Sequence, residues 1–127
     1  MLVVEDEEES RLLLCTVLSH FGDCEMVVDG QQALQAHRAA LDEGRGFDLI
    51  CLDIKLPGMD GQEVLKHLRQ YEAVTKPPSA VKVIVISGVR ATERVLEMYR
   101  LGCEGYLMKP IKVEHLLQRL SDLAVIP

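Results

Sequence analysis

Acidic residues follow two short apolar runs in the N-terminal half of the chain. Glu5 and Asp6 follow the run 1–4, and Asp53 follows the run 47–52. Carboxylates held a few ångströms apart repel one another, and Mg²⁺ suits such an oxygen-only cluster because it binds one or two carboxylates and accepts a phosphate oxygen. An aspartate carboxylate can also act as a nucleophile and form an aspartyl-phosphate. If the fold brings them together, these residues predict magnesium-assisted phosphoryl chemistry.

A hydroxyl and an ammonium follow two further apolar runs in the C-terminal half. Ser87 follows the run 81–86, and Lys109 follows the run 105–108. A lysine can hold a phosphoryl oxygen as a point charge, and a serine hydroxyl can donate a hydrogen bond to one. Because phosphoryl transfer needs mainly positioning and charge neutralisation, these two residues complete the chemistry that the acids suggest.

The apolar runs predict strands, and the segments between them have the periodicity of helices. Strands are predicted at 1–4, 24–28, 47–52, 81–86 and 105–108, each followed by a helix. The face of the first helix is marked by Leu14, Val17, Leu18 and Phe21, the face of the last includes Val113, and Asp60 is predicted to cap the third. Strands separated by helices form a parallel sheet, and right-handed crossovers make it doubly wound. The functional site of such a sheet lies outside the carboxyl ends of its strands, where Ser87, Lys109 and the acids all stand.

Four segments of the chain resemble the motifs of a response-regulator receiver domain: LVVED, DLICLDIKLPGMDG, VIVISG and GYLMKPI. They occur in order on four predicted strand ends, and the resemblance covers essentially the whole chain as a single receiver domain, 1–127. It implies an α/β, flavodoxin-like, doubly wound sheet of five parallel strands in the order 2-1-3-4-5, with five helices. It also implies a phosphorylation-activated switch of a two-component system, whose only catalysis is its own phosphotransfer and autodephosphorylation.

The resemblance implies a role for each acidic residue of the predicted site. Asp53 corresponds to the phosphoacceptor, Asp6 to a direct Mg²⁺ ligand and Glu5 to a ligand that binds through water. The backbone carbonyl of Lys55 corresponds to a further ligand beside Asp53. Glu5 stands where an aspartate is commoner in the family, and its extra methylene is expected to loosen the coordination. We expect Lys55 and Val89 to control the access of the attacking water and thereby to set the lifetime of the phosphoryl group.

The resemblance also implies a switch that responds to the phosphoryl group. Ser87 corresponds to the hydroxyl that follows this group, although threonine, whose branched side chain is more fixed, is commoner there. Lys109 corresponds to the lysine that pairs with the phosphoryl group, and the family often has a cis peptide bond where this chain has Lys109-Pro110. Tyr106 corresponds to an aromatic residue that turns inward on activation.

Charge is distributed unevenly along the chain. The net charge is −6, with 14 acidic and 4 basic residues in 1–64 against 6 acidic and 10 basic residues in 65–127. The acidic balance argues against direct nucleic-acid binding, and the apolar runs are too short to span a membrane. The resemblance implies a sensor histidine kinase or a histidine phosphotransfer protein as donor, and a downstream protein or output domain at the fourth helix, fifth strand and fifth helix. That surface lies in the basic half, so we expect it to meet an acidic partner patch through Arg94, Arg100, Lys112 and Arg119.

The four cysteines are widely spaced and form no CxxC pair, which argues against a zinc or thioredoxin-type site. Cys15 and Cys51 are predicted to be buried, reduced thiols, and reduced cysteines suit a cytoplasmic protein. The apolar ending 123–127 is predicted to be a frayed terminus.

Three other functions fit parts of the pattern. A haloacid-dehalogenase-type phosphatase also forms an aspartyl-phosphate, but it needs a second aspartate two residues further on, where this chain has Lys55. A flavodoxin-like FMN protein needs a phosphate-binding loop after the first strand, where EDEEES would repel a phosphate. A pseudo-receiver that is never phosphorylated would not need the acid, hydroxyl and lysine set.

Overall fold

A computed structural model describes residues 1–126, in which five strands and five helices alternate. The strands are β1 (Leu2–Val4), β2 (Glu25–Val27), β3 (Leu49–Asp53), β4 (Lys82–Ser87) and β5 (Gly105–Met108). The helices are α1 (Glu8–Leu18), α2 (Gly30–Asp42), α3 (Gly61–Thr75), α4 (Thr92–Arg100) and α5 (Val113–Asp122). Each predicted strand is present, with bounds that differ by no more than two residues from the prediction.

All five strands are parallel and lie in the order β2-β1-β3-β4-β5. The predicted doubly wound α/β fold with strand order 2-1-3-4-5 and five helices is therefore confirmed. The register pairs Val4 with Leu52 and Ser87 with Met108. Because the strands run in one direction, their carboxyl ends share one edge of the sheet. The chain leaves β1 outward to β2 and then returns to β3, so the order reverses between β1 and β3.

Helices cover both faces of the sheet, and each face has its own apolar cluster. One cluster lies under α2, α3 and α4 and includes Leu34, Leu65, Leu68 and Met98. The other lies under α1 and α5 and includes Leu14, Leu18, Leu116 and Leu120. All residues of β1 and β3 are buried, which explains why these strands are almost continuously apolar in sequence.

Two apolar residues assigned to helix faces lie outside the core. Phe21 is 42% exposed because α1 already ends at Leu18, and the chain turns there with the Phe21 N–H donating to the Leu18 carbonyl. Val113 is 38% exposed because it is the first residue of α5, whose buried residues lie further along the helix. The helical periodicity was correct, but it does not show where a helix begins or ends.

The structure joins Cys15 to Cys24 in a disulfide, so the prediction that Cys15 is a reduced thiol is wrong. Cys15 lies on the buried side of α1, and Cys24 immediately precedes β2, which places their Cα atoms 6.0 Å apart. That separation is within the usual range for a disulfide. Cys51 is a free, buried cysteine as predicted, and burial raises the pKa of its thiol to about 12.

The apolar ending is packed against the protein as far as residue 126, so the prediction of a frayed end is wrong for that part. Val125 and Ile126 are half-buried against the cluster under α1 and α5. The N–H of Val125 donates to the Leu120 carbonyl, and the side chain of Lys82 donates to the Leu123 carbonyl. Residue 127, the end of the predicted segment, lies outside the described residues. Within residues 1–126, no helix combines the length and apolarity needed to cross a bilayer.

Candidate functional site

Asp53 is the last residue of β3 and lies at the carboxyl edge of the sheet. Asp53 is only 3% exposed, because β3 is central and covered on both faces. Both carboxylate oxygens have partners: Oδ1 accepts from the backbone N–H of Lys55 at 3.2 Å, and Oδ2 accepts from Nζ of Lys109 at 3.1 Å. The carboxylate is thus held in place from two sides.

Glu5 and Asp6 follow β1, the strand next to β3. The backbone N–H of Glu5 donates to the Val27 carbonyl of β2, and its side chain is buried, whereas Asp6 is exposed. Ligand oxygens of Glu5, Asp6 and Asp53 lie within 4.8 Å of one another. The structure therefore brings the three predicted acids together, although 48 positions separate Asp53 from Glu5 in the sequence.

Lys109 follows β5 and links the two buried acids. Its Nζ donates to Oε1 of Glu5 at 2.7 Å as well as to Asp53. Burial and the neighbouring Asp53 raise the pKa of Glu5 to about 8, against the lowering effect of Lys109. Burial alone would lower the pKa of Lys109, but its contacts with Glu5 and Asp53 raise it above the ordinary value. One ammonium thus neutralises only part of the acidic cluster.

The cluster fits a hard divalent cation such as Mg²⁺. Its donors are all carboxylate oxygens, and Oε2 of Glu5 is buried without a hydrogen-bond partner. A buried, unpaired carboxylate oxygen is costly, and a cation bound beside it would remove that cost. Asp6, which is exposed, leaves the cluster open on the solvent side.

Ser87 and Tyr106 both form hydrogen bonds with the backbone of Val89, which lies two residues beyond the end of β4. Oγ of Ser87 accepts from the backbone N–H of Val89 at 3.0 Å, which leaves its own hydroxyl hydrogen free to donate. The hydroxyl of Tyr106 donates to the Val89 carbonyl at 2.9 Å, and Tyr106 is 7% exposed. Tyr106 therefore occupies an inward position in this structure.

The loop after β3 leads into α3, whose first residue packs against the end of β3. The side chain of Asp60 accepts from the N–H of Glu63, so the predicted cap is confirmed. Gly61 was not predicted to matter, yet a Cβ there would lie 2.4 Å from the Asp53 carbonyl oxygen. A glycine following the capping aspartate was the available signal. On the other side of the site, the Lys109-Pro110 peptide bond is cis.

The basic surface predicted on α4 and α5 is smaller than expected. Arg100 and Lys112 are exposed. Nη1 of Arg119 lies 3.8 Å from Oδ2 of Asp122, so the charge of Arg119 is partly balanced within α5. Arg94 is half-buried and donates to the side chain of Gln62 on α3 at 2.8 Å, so it is less accessible than Arg100 and Lys112. Periodicity shows that Arg94 is on a helix but not that it faces α3. The same surface exposes two large side chains of α4, Leu96 and Tyr99.

The sequence and structure are similar to known proteins over almost the whole chain. Residues 1–121 match the model of the response regulator receiver domain. The sensory/regulatory protein RpfC of Xanthomonas campestris is 31% identical over 98% of this chain, and the transcriptional regulatory protein TcrA of Mycobacterium tuberculosis is 35% identical over 98%. A structure of the CheX–CheY–BeF3–Mg²⁺ complex from Borrelia burgdorferi has the same fold, with a TM-score of 0.85 and 23% identity over 98% of this chain and 88% of that chain.

The curated relatives are longer than this chain. The matching segment is 16% of the length of RpfC and 45% of the length of TcrA. The similarity thus concerns one domain of those proteins.

Proposed function

Because the chain belongs to the response regulator receiver domain family of two-component signalling, we propose that Asp53 is its phosphoacceptor. The observation that carries this proposal is the contact of a buried Asp53 carboxylate with Lys109 inside a cluster of three acids. A structural acid at a strand end would need neither the second buried carboxylate of Glu5 nor the shared ammonium.

The proposed reaction transfers a phosphoryl group from a phosphohistidine to Asp53. An oxygen of the Asp53 carboxylate forms the new O–P bond while the N–P bond of the donor breaks, and the imidazole nitrogen keeps the electron pair. Lys109, which already lies 3.1 Å from Oδ2, pairs with the charge of the transferred group. The free hydroxyl hydrogen of Ser87 supplies a further donor.

Mg²⁺ fits the proposed reaction as its cofactor. Glu5, Asp6, Asp53 and the backbone carbonyl of Lys55 would hold it, with Glu5 acting through water. When bound, the ion neutralises negative charge on the carboxylates and on the phosphoryl oxygens. The side chains of Lys55 and Val89 would control how easily water reaches the phosphoryl group, and so how fast Asp53 is dephosphorylated.

The proposed output is a change at the surface formed by α4, β5 and α5. The negative charge that the phosphoryl group adds at Asp53, with new contacts at Ser87 and Lys109, biases the Val89 segment, which also holds Tyr106. A sensor histidine kinase or a phosphotransfer protein donates the group. A downstream protein or output domain with an acidic patch meets the basic residues of this surface, Arg94, Arg100, Lys112 and Arg119. We place this activity in a single domain, 1–127, and in the cytoplasm. The placement follows from the proposed phosphoryl donor and no longer from reduced cysteines, since Cys15 and Cys24 form a disulfide.

A phosphatase of the haloacid dehalogenase type is not favoured. That chemistry needs a second carboxylate two residues after the nucleophile, and Lys55 occupies the position. The chain thus has an acceptor without the adjacent general acid and base that fast turnover requires.

Phosphorylation of the intact protein tests the proposal. The protein is incubated with Mg²⁺ and acetyl phosphate, and mass spectrometry locates the labile phosphoryl group. We expect it on Asp53 in the wild type, none in Asp53→Asn, and normal labelling in the matched control Asp122→Asn, whose side chain is exposed far along α5. Labelling that needs no Mg²⁺, or that survives in Asp53→Asn, would refute the proposal.

A further inference from the structure

The side chain of Gln62 joins α3 to α4 by two hydrogen bonds. Its amide nitrogen donates to Oε1 of Glu97 at 2.8 Å, and its amide oxygen accepts from Nη1 of Arg94 at 2.8 Å. An amide both donates and accepts, so Gln62 matches an anion and a cation one turn apart on α4. Hydrogen bonds to charged partners are stronger than those between neutral groups, and both of these are partly buried. We call this set of three side chains the Gln62 bridge.

The backbone that carries Gln62 is fixed to the end of β3. The N–H of Gly61 donates to the Ile54 carbonyl at 2.7 Å. A Cβ on Gly61 would lie 2.4 Å from the carbonyl oxygen of Asp53 and 2.6 Å from Cα of Ile54. The first turn of α3 is therefore in direct contact with the main chain of Asp53. This backbone contact links Asp53 to the start of α3, one residue before Gln62.

α4 has few other contacts that hold it in place. Among its nine residues, Met98 is the one buried side chain, and Ala91 at the N-cap provides no side-chain hydrogen bond. The solvent-exposed residues of the helix are Thr92, Glu93, Leu96, Tyr99 and Arg100. A helix this short is marginal on its own, so its position depends on its contacts with the rest of the protein. Met98 and the half-buried Val95 pack on the cluster under α2, α3 and α4, and the Gln62 bridge adds two hydrogen bonds between α3 and α4.

We propose that Gln62 is a positioning residue that couples the Asp53 end of β3 to α4, an inference that rests on the proposed function. The Gln62 bridge holds α4 and the preceding segment, in which the Val89 carbonyl accepts the hydroxyl of Tyr106. It thereby stabilises the conformer in which Tyr106 is buried. Without the bridge, the backbone hydrogen bonds of α4 open more often. Phosphorylation of Asp53 then has a smaller effect on α4.

Two variants separate the bridge from general effects of substitution. Gln62→Glu keeps an acceptor for Arg94 but places a second carboxylate against Glu97. Adding Glu97→Gln restores a hydrogen bond between positions 62 and 97, in which residue 97 now donates and residue 62 accepts. The double variant also has the wild-type net charge of −6. Hydrogen exchange of amides 92–100 is measured with and without Mg²⁺ and beryllofluoride, with amides 30–42 as internal reference. The ring signal of Tyr106, assigned with Tyr106→Phe, reports its burial by NMR.

The exchange rates measured without Mg²⁺ and beryllofluoride test the Gln62 bridge directly. We expect Gln62→Glu to raise exchange of the α4 amides about tenfold, equivalent to about 1.4 kcal/mol, and to shift the Tyr106 signal towards solvent exposure. We expect the double variant to restore both. Equal exchange in the wild type and Gln62→Glu, or no recovery in the double variant, would overturn the inference.

The response to beryllofluoride separates this inference from the proposed function. If the wild type does not respond through Asp53, the proposed function fails and the coupling role of Gln62 falls with it, whatever the exchange rates. If the wild type responds and α4 of Gln62→Glu responds equally, the coupling is refuted while the proposed function stands. A response in the wild type that is reduced in Gln62→Glu and recovered in the double variant supports both.

Discussion

Replacing Glu5 by glutamine should remove a pH dependence of stability in metal-free buffer. Glu5 is 1% exposed, and burial together with Asp53 raises its pKa from 4.5 to about 8. Between these values the folded protein holds a proton that the unfolded chain has released. The free energy of unfolding of the wild type therefore falls as pH rises through this window, and the loss is complete above about pH 8.

The size of the effect follows from the width of that window. At about 1.4 kcal/mol per pKa unit, the interval from 4.5 to about 8 corresponds to about 5 kcal/mol for an isolated group. Glu5 also contacts Lys109 and lies beside Asp53, so only part of this free energy belongs to Glu5 alone. We expect the wild type to lose roughly half that amount, about 2–3 kcal/mol, relative to Glu5→Gln.

Urea unfolding in the presence of EDTA, between pH 5 and pH 8, measures the difference. Burial lowers the pKa of His37, so His37 adds stability as pH rises, but it does so in both proteins and cancels. Glu9→Gln, an exposed change on α1, is the matched control and should follow the wild type. Excess Mg²⁺ should reduce the loss in the wild type and change the pH profile of Glu5→Gln less, because that variant keeps Asp6 and Asp53 but lacks the Glu5 carboxylate. Parallel pH profiles for the wild type and Glu5→Gln would refute the reasoning.

Four further substitutions test other features of the structure. Lys55→Ala and Val89→Ala should each shorten the lifetime of phosphorylated Asp53, which is followed by mass spectrometry after removal of acetyl phosphate; unchanged decay rates would count against their role. Ala124→Gly should stabilise the protein by about 1 kcal/mol in urea unfolding, because Ala124 has a φ of 57°, which glycine adopts without strain. Cys24→Ser should destabilise the unreduced protein by about 2–3 kcal/mol, since the disulfide closes a short loop, and a reductant should then affect only the wild type. Four titratable thiols in the denatured, unreduced wild type would contradict that last expectation.

Features that follow the chain locally could be predicted from the sequence. Each strand is an apolar run ended by a polar residue, so the positions of Asp53, Ser87 and Lys109 at strand ends were visible. Their convergence follows from the rule that parallel strands share a carboxyl edge. The strand order itself came from the family resemblance, because periodicity does not distinguish one parallel order from another.

Contacts between elements could not be predicted in the same way. The pairing of Cys15 with Cys24, and of Gln62 with Arg94 and Glu97, depends on how each helix is rotated and where it ends. Sequence periodicity identifies a helix face but not the side chain that it meets. The shared contact of Lys109 with Glu5 and Asp53 was visible only as a common location, without its distances.

Lys109 competes with the proposed cation for the carboxylates of Glu5 and Asp53. Its ammonium occupies the carboxylates that an incoming cation would bind, so part of the binding energy of that cation is used to displace it. The ammonium takes the place of a cation and holds the carboxylates together when metal is scarce. Lys109 thus lowers the affinity of the proposed cation site relative to the same carboxylates without a neighbouring ammonium.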